Sequence, residues 1–187
     1  METALETALR LCALGFAVQW LAPSTKAPIA TGWSEAPVMT PDGLRASYRP
    51  GFNVGFRAGS WSVVDNGEIC VLDIDVRGGA RFEQEALAAA RVLMGPHFEP
   101  TVRTGSGFGL HQYLRFPIGA SPPTAATLLR QADVWVTGDG ALRPPMSRDA
   151  RPAWQIELLS TGKNVVLPPS IHPDTLQPYV WLNHSLL

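Results

Sequence analysis

Two aspartates inside one apolar run limit what this chain can fold into more than any other feature. The run is Ile69-Cys70-Val71-Leu72-Asp73-Ile74-Asp75-Val76, and its length and composition predict a buried β-strand. Side chains at positions i and i+2 of a strand point to the same face, so the two carboxylates are expected about 6–7 Å apart. Like charges that close raise each other's pKa unless a cation neutralises them. Carboxylate oxygens suit hard cations, so the pair predicts a site for magnesium, calcium or manganese.

One alternative to the metal site is a simple ion pair at the end of the strand. Arg77 follows Asp75 by two residues, and its guanidinium could pair with one of the two carboxylates. Buried aspartates without a partner are rare, and two on one strand face are rarer still. A metal site at Asp73 and Asp75 is therefore the leading hypothesis.

Composition and charge limit the kind of protein that can hold this strand. A chain of 187 residues with 45% apolar and 17% charged residues can bury one core, so a single domain over residues 1–187 is expected. The net charge of −1 excludes a basic field over the whole surface, so any contact with nucleic acid would come from local patches. No apolar stretch approaches the roughly 20 residues of a membrane-spanning helix, and neither cysteine has metal-ligand spacing. A cytoplasmic protein without a membrane partner is expected.

The order of predicted elements indicates an α+β protein. The expected helices cover residues 3–14, 41–49, 82–93 and 124–131. The expected strands cover residues 16–21, 53–57, 60–64, 69–76, 101–104, 110–116, 133–137, 153–159 and 163–167. Strand 60–64 is expected to pair near strand 53–57. Residues 138–152, rich in Pro, Arg and Asp, are predicted to form an insertion or a mobile loop.

A glycine-rich turn is the second feature with chemical meaning. It reads Thr104-Gly105-Ser106-Gly107-Phe108-Gly109-Leu110-His111. The backbone N–H groups of such a turn can bind phosphate oxygens, and Ser106 and His111 could add two side-chain donors. It is neither a Walker A loop, since no Gly-Lys-Ser/Thr follows, nor a dinucleotide fingerprint, since a strand follows it. A hairpin turn without a ligand is the alternative.

Two further features lie near the C-terminus. Glu157 stands in the apolar strand Trp154-Gln155-Ile156-Glu157-Leu158-Leu159 and could be a third acidic ligand, although edge strands often show one glutamate to solvent. The loop Pro168-Pro169-Ser170-Ile171-His172-Pro173 is stiffened by its prolines, which would aim Ser170 and His172 at little entropic cost. A plain structural turn is equally compatible with this loop.

Taken together, these motifs resemble the N-terminal domain of bifunctional DNA primase/polymerases, a branch of the archaeo-eukaryotic primase superfamily. The order is a DxD strand, a GSGxG-L-H loop, an apolar strand with one glutamate, and a PPSxHP loop. Upstream, Lys26-Ala27-Pro28 and Asn53-Val54-Gly55 are similar to the opening of that family, and Tyr179-Val180-Trp181 is similar to its closing strand. The resemblance extends from about Ala8 to Trp181.

The resemblance implies a fold and a set of site residues. The implied fold is an RRM-like antiparallel or mixed sheet with flanking helices, plus a small N-terminal α/β unit. These two units, roughly residues 1–65 and 66–187, would stand on either side of one cleft. The residues that would bind metal and carry catalysis are Asp73, Asp75 and Glu157, with Asp133 and Asp139 as rivals for the third place. The residues that would contact the nucleotide are Ser106, Gly107, His111, Lys26, Lys163, Ser170 and His172. Those that would contact DNA are Arg103 and Arg115, with Arg143, Arg148 and Arg151 as further candidates.

The implied activity is template-directed nucleotidyl transfer with two Mg²⁺ or Mn²⁺ ions, as primase, polymerase or both. Its partners would be a single-stranded template or primer–template, dNTP or NTP, and a fused or separate helicase. The setting would be replication of a phage, plasmid or mobile element in the cytoplasm of a bacterial or archaeal host. Two alternatives remain at this stage. One is a DxD-dependent glycosyltransferase, which would need alternating βα units. The other is a nucleic-acid-binding replication module without catalysis.

Overall fold

The computed structural model describes residues 2–122 and 125–183, and this part of the chain forms three helices and thirteen strands. The helices are α1 (Ala4–Leu14), α2 (Pro41–Ser47) and α3 (Ala80–Met94). The strands are β1 (Ala17–Leu21), β2 (Asn53–Arg57), β3 (Gly59–Val64), β4 (Gly67–Val76), β5 (Val102–Arg103), β6 (Leu110–Pro117), β7 (Ala126–Arg130), β8 (Trp135–Thr137), β9 (Leu142–Arg143), β10 (Ala150–Pro152), β11 (Trp154–Leu159), β12 (Asn164–Val166) and β13 (Val180–Trp181). The predicted α+β class is confirmed.

Helix α1 begins and ends at residues that the sequence marks. The Thr3 hydroxyl accepts a hydrogen bond from the Glu6 N–H, and the Glu6 carboxylate accepts one from the Thr3 N–H, which is a capping box. At the other end Gly15 has a φ of 104°, a left-handed conformation that favours glycine. A side chain at this position would also meet the Val63 carbonyl oxygen at 2.0 Å. The turn at Gly15 therefore sets the direction in which the chain leaves α1 and enters β1.

The large sheet has β4 near its centre. Its strand order is β13-β5-β6-β4-β11-β7, and β3 also pairs with β4. Each of these pairs is antiparallel in the part of the chain described. Strand β4 has ten residues and is apolar on both faces over most of its length, which is what a central, doubly covered strand requires. The alternating βα units of a glycosyltransferase of the Rossmann type are not seen in this sheet.

The two faces of β4 belong to different cores. On one face Leu72, Ile74 and Val76 pack in a cluster with Phe82 and Ala86 of α3. On the other face Ile69 and Val71 join a cluster with α1, β1, β2, β12 and Tyr113 of β6. Asp73 and Asp75 lie on this second face, because they continue the alternation of Ile69 and Val71. We call the part with Ile69, Val71 and Tyr113 the covered half of this face.

The second core is closed by a small sheet with the order β1-β2-β12. Strand β12 lies far along the chain, so the unit expected over residues 1–65 takes one of its strands from the C-terminal part. Phe16 and Phe56 of this unit contact the ring of Tyr113 at 6.4 and 5.7 Å between ring centroids. These contacts fix the small sheet against β4 and β6.

Three local predictions were wrong. A helix was predicted over residues 124–131, but residues 126–130 form strand β7, because pairing with β11 outweighs a weak helical pattern; Thr124 lies outside the described residues. Strand β3 pairs with β4 rather than β2. The predicted loop at 138–152 contributes β9 and β10 to a second small sheet, in which both strands pair with β8.

In the described ranges, no helix is long and apolar enough to cross a bilayer.

Candidate active site

Three strands of the large sheet bring a histidine and two carboxylates into one row. Asp73 of β4 lies directly opposite His111 of β6 on one side and Glu157 of β11 on the other. Directly opposite residues of antiparallel strands share a face, with Cβ atoms about 4.5–5.5 Å apart. Asp75 lies on the same face in the next row, opposite Gln155. We call the part of the face with Asp73, Asp75, Gln155 and Glu157 the open half, since these side chains are only half-buried.

Asp73 is the electrostatic centre of the open half. Burial raises the pKa of its carboxyl to about 7, and the neighbouring carboxylates of Asp75 and Glu157 add to the rise. Lys26 and Arg77 act in the opposite direction without cancelling it. Asp75 forms an ion pair with Arg77, so the ion pair considered from the sequence is present as well. The open half therefore holds more negative charge than its cations balance.

His111 is a neutral imidazole beside Asp73. Its side chain is buried, and burial, helped by the charge of Lys26, lowers its pKa to about 3. Its Nε2 lies 3.6 Å from Oδ1 of Asp73, and its Nδ1 has no hydrogen-bond partner among the described residues. A neutral imidazole carries one N–H donor and one acceptor nitrogen. A buried, unpaired ring nitrogen is unusual and points to a missing polar partner.

The glycine-rich turn folds against the same end of the sheet. The hydroxyls of Thr104 and Ser106 lie 2.7 Å apart, and the Gly109 N–H donates to the Ser106 hydroxyl over 3.1 Å. A side chain at Gly109 would meet the Thr104 hydroxyl at 2.5 Å and would displace the hydroxyls of the turn. Gly107 has a φ of 93° at the tip of the turn. The turn is thus a tight hairpin whose hydroxyls face the aspartates.

A small pocket of about 70 Å³ joins these parts. It is lined by Lys26, Asp73, Asp75, Thr104, Ser106, Gly109, His111, His172 and Tyr179. Six of these residues were predicted from the sequence to belong to one site, and the fold brings them together. Thr104, Gly109 and Tyr179 were not predicted; the ring of Tyr179 lies between His111 and His172, at 6.0 and 6.1 Å between centroids.

Ser170 was expected to contact a nucleotide, and this prediction was wrong. Its side chain is 2% exposed, and its hydroxyl accepts from the Val54 N–H at 2.8 Å and donates to the Val54 carbonyl at 2.9 Å. Both bonds join the proline-rich loop to β2. Ser170 is therefore a structural residue that leaves His172 to face the pocket.

Other predicted residues lie outside the pocket. Lys163 is exposed in the turn before β12, and Gly107 forms the tip of its turn. Arg103 donates to the Glu83 carboxylate and to the Gly107 carbonyl, each over 2.8 Å, so it braces the glycine-rich turn against α3. Arg115 forms an ion pair with Asp65 over 3.1 Å and is separated from His111 by the buried Tyr113 on the same strand face.

The three candidates for a third carboxylate differ in position. Glu157 lies beside Asp73, but its carboxylate accepts a hydrogen bond from the Thr127 hydroxyl over 3.1 Å. Asp139 accepts from the Ala141 N–H in the turn between β8 and β9. Asp133 is exposed, and none of the three candidates lines the pocket. The strand register thus favours Glu157.

Asn53 is a site residue that the sequence reasoning missed. Its amide donates to the carbonyls of Thr25 and Ile171, at 2.9 and 2.8 Å, and its Oδ1 accepts from the Ile171 N–H at 2.9 Å. One buried side chain therefore positions the segments that carry Lys26 and His172. The available signal was an asparagine at the start of an apolar strand, because a buried amide needs partners.

A comparison with protein families places this arrangement in context. Residues 8–186 match the model described as bifunctional DNA primase/polymerase, N-terminal. The chain belongs to this family. Membership supports a DNA primase/polymerase-type function and an enzyme of the nucleotidyltransferase type, with DNA and nucleotides as its substrates. A comparison with curated proteins found no match.

Members of this family typically use divalent metals, so the fit of the open half to a metal ion can be tested. In residues 2–122 and 125–183, no group of three or more His, Cys, Asp or Glu side chains is gathered closely enough to hold one. Mg²⁺ is, however, commonly bound through only one or two carboxylates, together with substrate phosphates and water. Asp73 and Asp75 fit this kind of site, since they are hard oxygen donors whose excess negative charge a cation would relieve.

Proposed function

We propose that this domain catalyses template-directed nucleotidyl transfer, as a DNA primase, a DNA polymerase or both. The observation that carries the proposal is the pocket, in which two aspartates of β4 face His111, Lys26, His172 and the glycine-rich turn. Carboxylates on one side and nitrogen donors on the other are what a metal-bound triphosphate requires. A nucleic-acid-binding module without catalysis is the alternative, and nucleotide incorporation distinguishes the two.

In this proposal the nucleotide triphosphate binds between the glycine-rich turn and the proline-rich loop. Lys26 supplies a positive charge, and neutral His111 donates a hydrogen bond without bringing a second charge into a buried site. Ser106 and the amides around Gly107 add donors from the turn. His172, held by the hydrogen bonds of Asn53 to Ile171, completes the opposite wall. Fixed donors of this kind orient the triphosphate and stabilise charge on its oxygens.

Asp73 and Asp75 are the proposed metal ligands, and Glu157 is the proposed third carboxylate of a two-metal site. When bound, Mg²⁺ or Mn²⁺ would lower the pKa of the attacking 3′-hydroxyl and neutralise charge on the departing pyrophosphate. Thr127 holds Glu157 toward β7, so this carboxylate would have to turn from Thr127 to join the pair. Arg77 keeps the Asp75 carboxylate in a fixed position beside Asp73.

The proposed partners are a single-stranded template or primer–template and a fused or separate helicase. The proposed setting is the replication of a phage, plasmid or mobile element in the cytoplasm of a bacterial or archaeal cell. Two subdomains around one cleft, divided near residue 65 and with β12 added to the first, would let a template pass between them. With a net charge of −1, the domain would hold DNA through local contacts, so its affinity should fall with salt.

Primer extension tests the proposal. With a labelled primer–template, dNTPs and Mn²⁺, Asp73→Asn should reduce incorporation by at least about 10³-fold, because a primary metal ligand is lost. Asp65→Asn is the matched control, since Asp65 is exposed at the far end of the sheet and should leave the rate unchanged. Pyrophosphate should be released in proportion to each nucleotide added. Full incorporation by Asp73→Asn, or release of a nucleoside diphosphate instead, would contradict the proposal.

A further inference from the structure

A polar surface continues the open half away from the pocket. Gln155 of β11 lies opposite Asp75, and Arg130 of the edge strand β7 lies opposite Gln155. Glu157 and Thr127 form the neighbouring row. Because opposite residues share a face, each row runs from an aspartate to the edge of the sheet, and a register shift in the β11–β7 pairing lies between the two rows. We call Gln155, Glu157, Thr127 and Arg130 the β11–β7 surface.

Two side chains of this surface are available to a ligand. Arg130 is exposed and Gln155 half-buried, and within the described chain neither side chain forms a hydrogen bond or an ion pair. The opposite face of the same strands is closed, since Ile156 and Leu129 pack with α3. The guanidinium of Arg130 is therefore a cation at the edge of an acidic face, suited to a phosphate group.

The position of the pocket decides what this surface can hold. Thr104, Ser106 and His111 lie on the β5–β6 side of the aspartates, whereas the β11–β7 surface lies on the other side. In nucleotidyl transfer the attacking and leaving oxygens stand in line on opposite sides of the phosphorus. If the triphosphate binds on the β6 side, the attacking hydroxyl has to approach from the side of β11.

We propose that the β11–β7 surface binds the 3′ end of the nucleic-acid strand that is extended, with Arg130 contacting one of its backbone phosphates. Asp75 and Arg130 lie in the same row, and two strand spacings, about 10 Å, separate their strands β4 and β7. That length corresponds to about two or three nucleotides of one strand. Gln155, between them, offers an amide to the sugar or phosphate of the terminal nucleotide. The inference rests on the proposed nucleotidyl transfer and adds the direction from which the primer enters.

Binding measurements test the assignment of Arg130. In fluorescence anisotropy with a primed template, Arg130→Gln should raise the Kd about five- to tenfold and lower the salt slope by about 0.9, because one phosphate contact is lost. Arg91→Gln is the control, since it removes the same charge from exposed α3 on the other side of the sheet. The Michaelis constant for dNTP should stay unchanged. Equal Kd values and slopes for both variants would overturn the assignment.

Crosslinking tests which strand lies there. With p-benzoylphenylalanine in place of Leu128, an exposed residue of β7, irradiation should label the primer strand near its 3′ end. The same group in place of exposed Val92 of α3 gives the background. Adducts on the template alone, or equal yields at both positions, would overturn the inference. Both experiments measure binding rather than turnover, so they can fail while Asp73→Asn still abolishes incorporation, and the two proposals are tested separately.

Discussion

The same face of the large sheet has two halves with opposite properties. In the covered half, Ile69, Val71 and Tyr113 are at most 2% exposed beneath the small sheet. In the open half, β4 carries Asp73 and Asp75, which are only half-buried, next to the buried, neutral His111 of β6. The change happens within two residues of β4. One strand therefore supplies both a core and a site, and the apolar half holds the carboxylates of the other half in place.

Removing a side chain from the covered half should have the largest effect on stability. Ile69→Ala leaves a cavity under the small sheet, so the free energy of unfolding should fall by about 2–5 kcal/mol in a denaturant titration. The extension rate of the molecules that remain folded should stay near that of the parent protein. Val92→Ala on exposed α3 is the control and should change the free energy of unfolding by less than about 0.5 kcal/mol. A small loss of stability for Ile69→Ala would mean that this half is not a core.

The raised pKa of Asp73 in the open half should affect how the free energy of unfolding depends on pH. The pKa of Asp73 is raised from 3.8 to about 7, so between these pH values the folded protein keeps a proton that the unfolded chain has released. His111 and His172, whose pKa values burial lowers, contribute in the opposite direction over part of this range, so the difference between the parent protein and Asp73→Asn isolates the carboxyl. In metal-free buffer, the free energy of unfolding of the parent relative to that of Asp73→Asn should fall as the pH rises from about 4 to about 7, by at most about 4 kcal/mol. A difference that stays constant or rises over this range would contradict the raised pKa of Asp73.

Arg103 lies outside the pocket and holds the glycine-rich turn in place, so its replacement tests whether that turn serves the nucleotide or the DNA. Since its guanidinium bonds to Glu83 and to the Gly107 carbonyl, Arg103→Gln should loosen the glycine-rich turn. We expect the Michaelis constant for dNTP to rise about three- to tenfold with little change in kcat, a loss of about 1 kcal/mol in nucleotide binding. The Kd for DNA should hardly change. If the variant instead binds DNA more weakly and its Michaelis constant for dNTP is unaltered, Arg103 contacts DNA, as the sequence led us to expect.

The sequence predicted best what depends on neighbouring residues. The position of Asp73 and Asp75 on one strand face follows from strand alternation alone, and the helix expected over residues 3–14 follows from the local apolar pattern. The glycine-rich turn and the proline-rich loop could be recognised as motifs, which is why Ser106, His111 and His172 were expected in one site, and Lys26 was added by the family resemblance.

Features set by distant pairing could not be predicted in this way. Strand β7 was missed because its partner β11 lies more than twenty residues further on, and a local pattern carries no register. The hydroxyl of Ser170 was assigned to a ligand, whereas its actual partner Val54 is 116 residues away. The role of Asn53 as a link between two loops depends on similar long-range hydrogen bonds.

If the open half serves chemistry and not stability, a single variant at Asp73 should change the two in opposite directions. In metal-free buffer near pH 8, Asp73→Asn removes a charge that burial, Asp75 and Glu157 make unfavourable, so its Tm should lie above that of the parent protein. Primer extension by the same preparation should be lost. A lower Tm together with retained extension would show that Asp73 is a structural residue and would contradict the account.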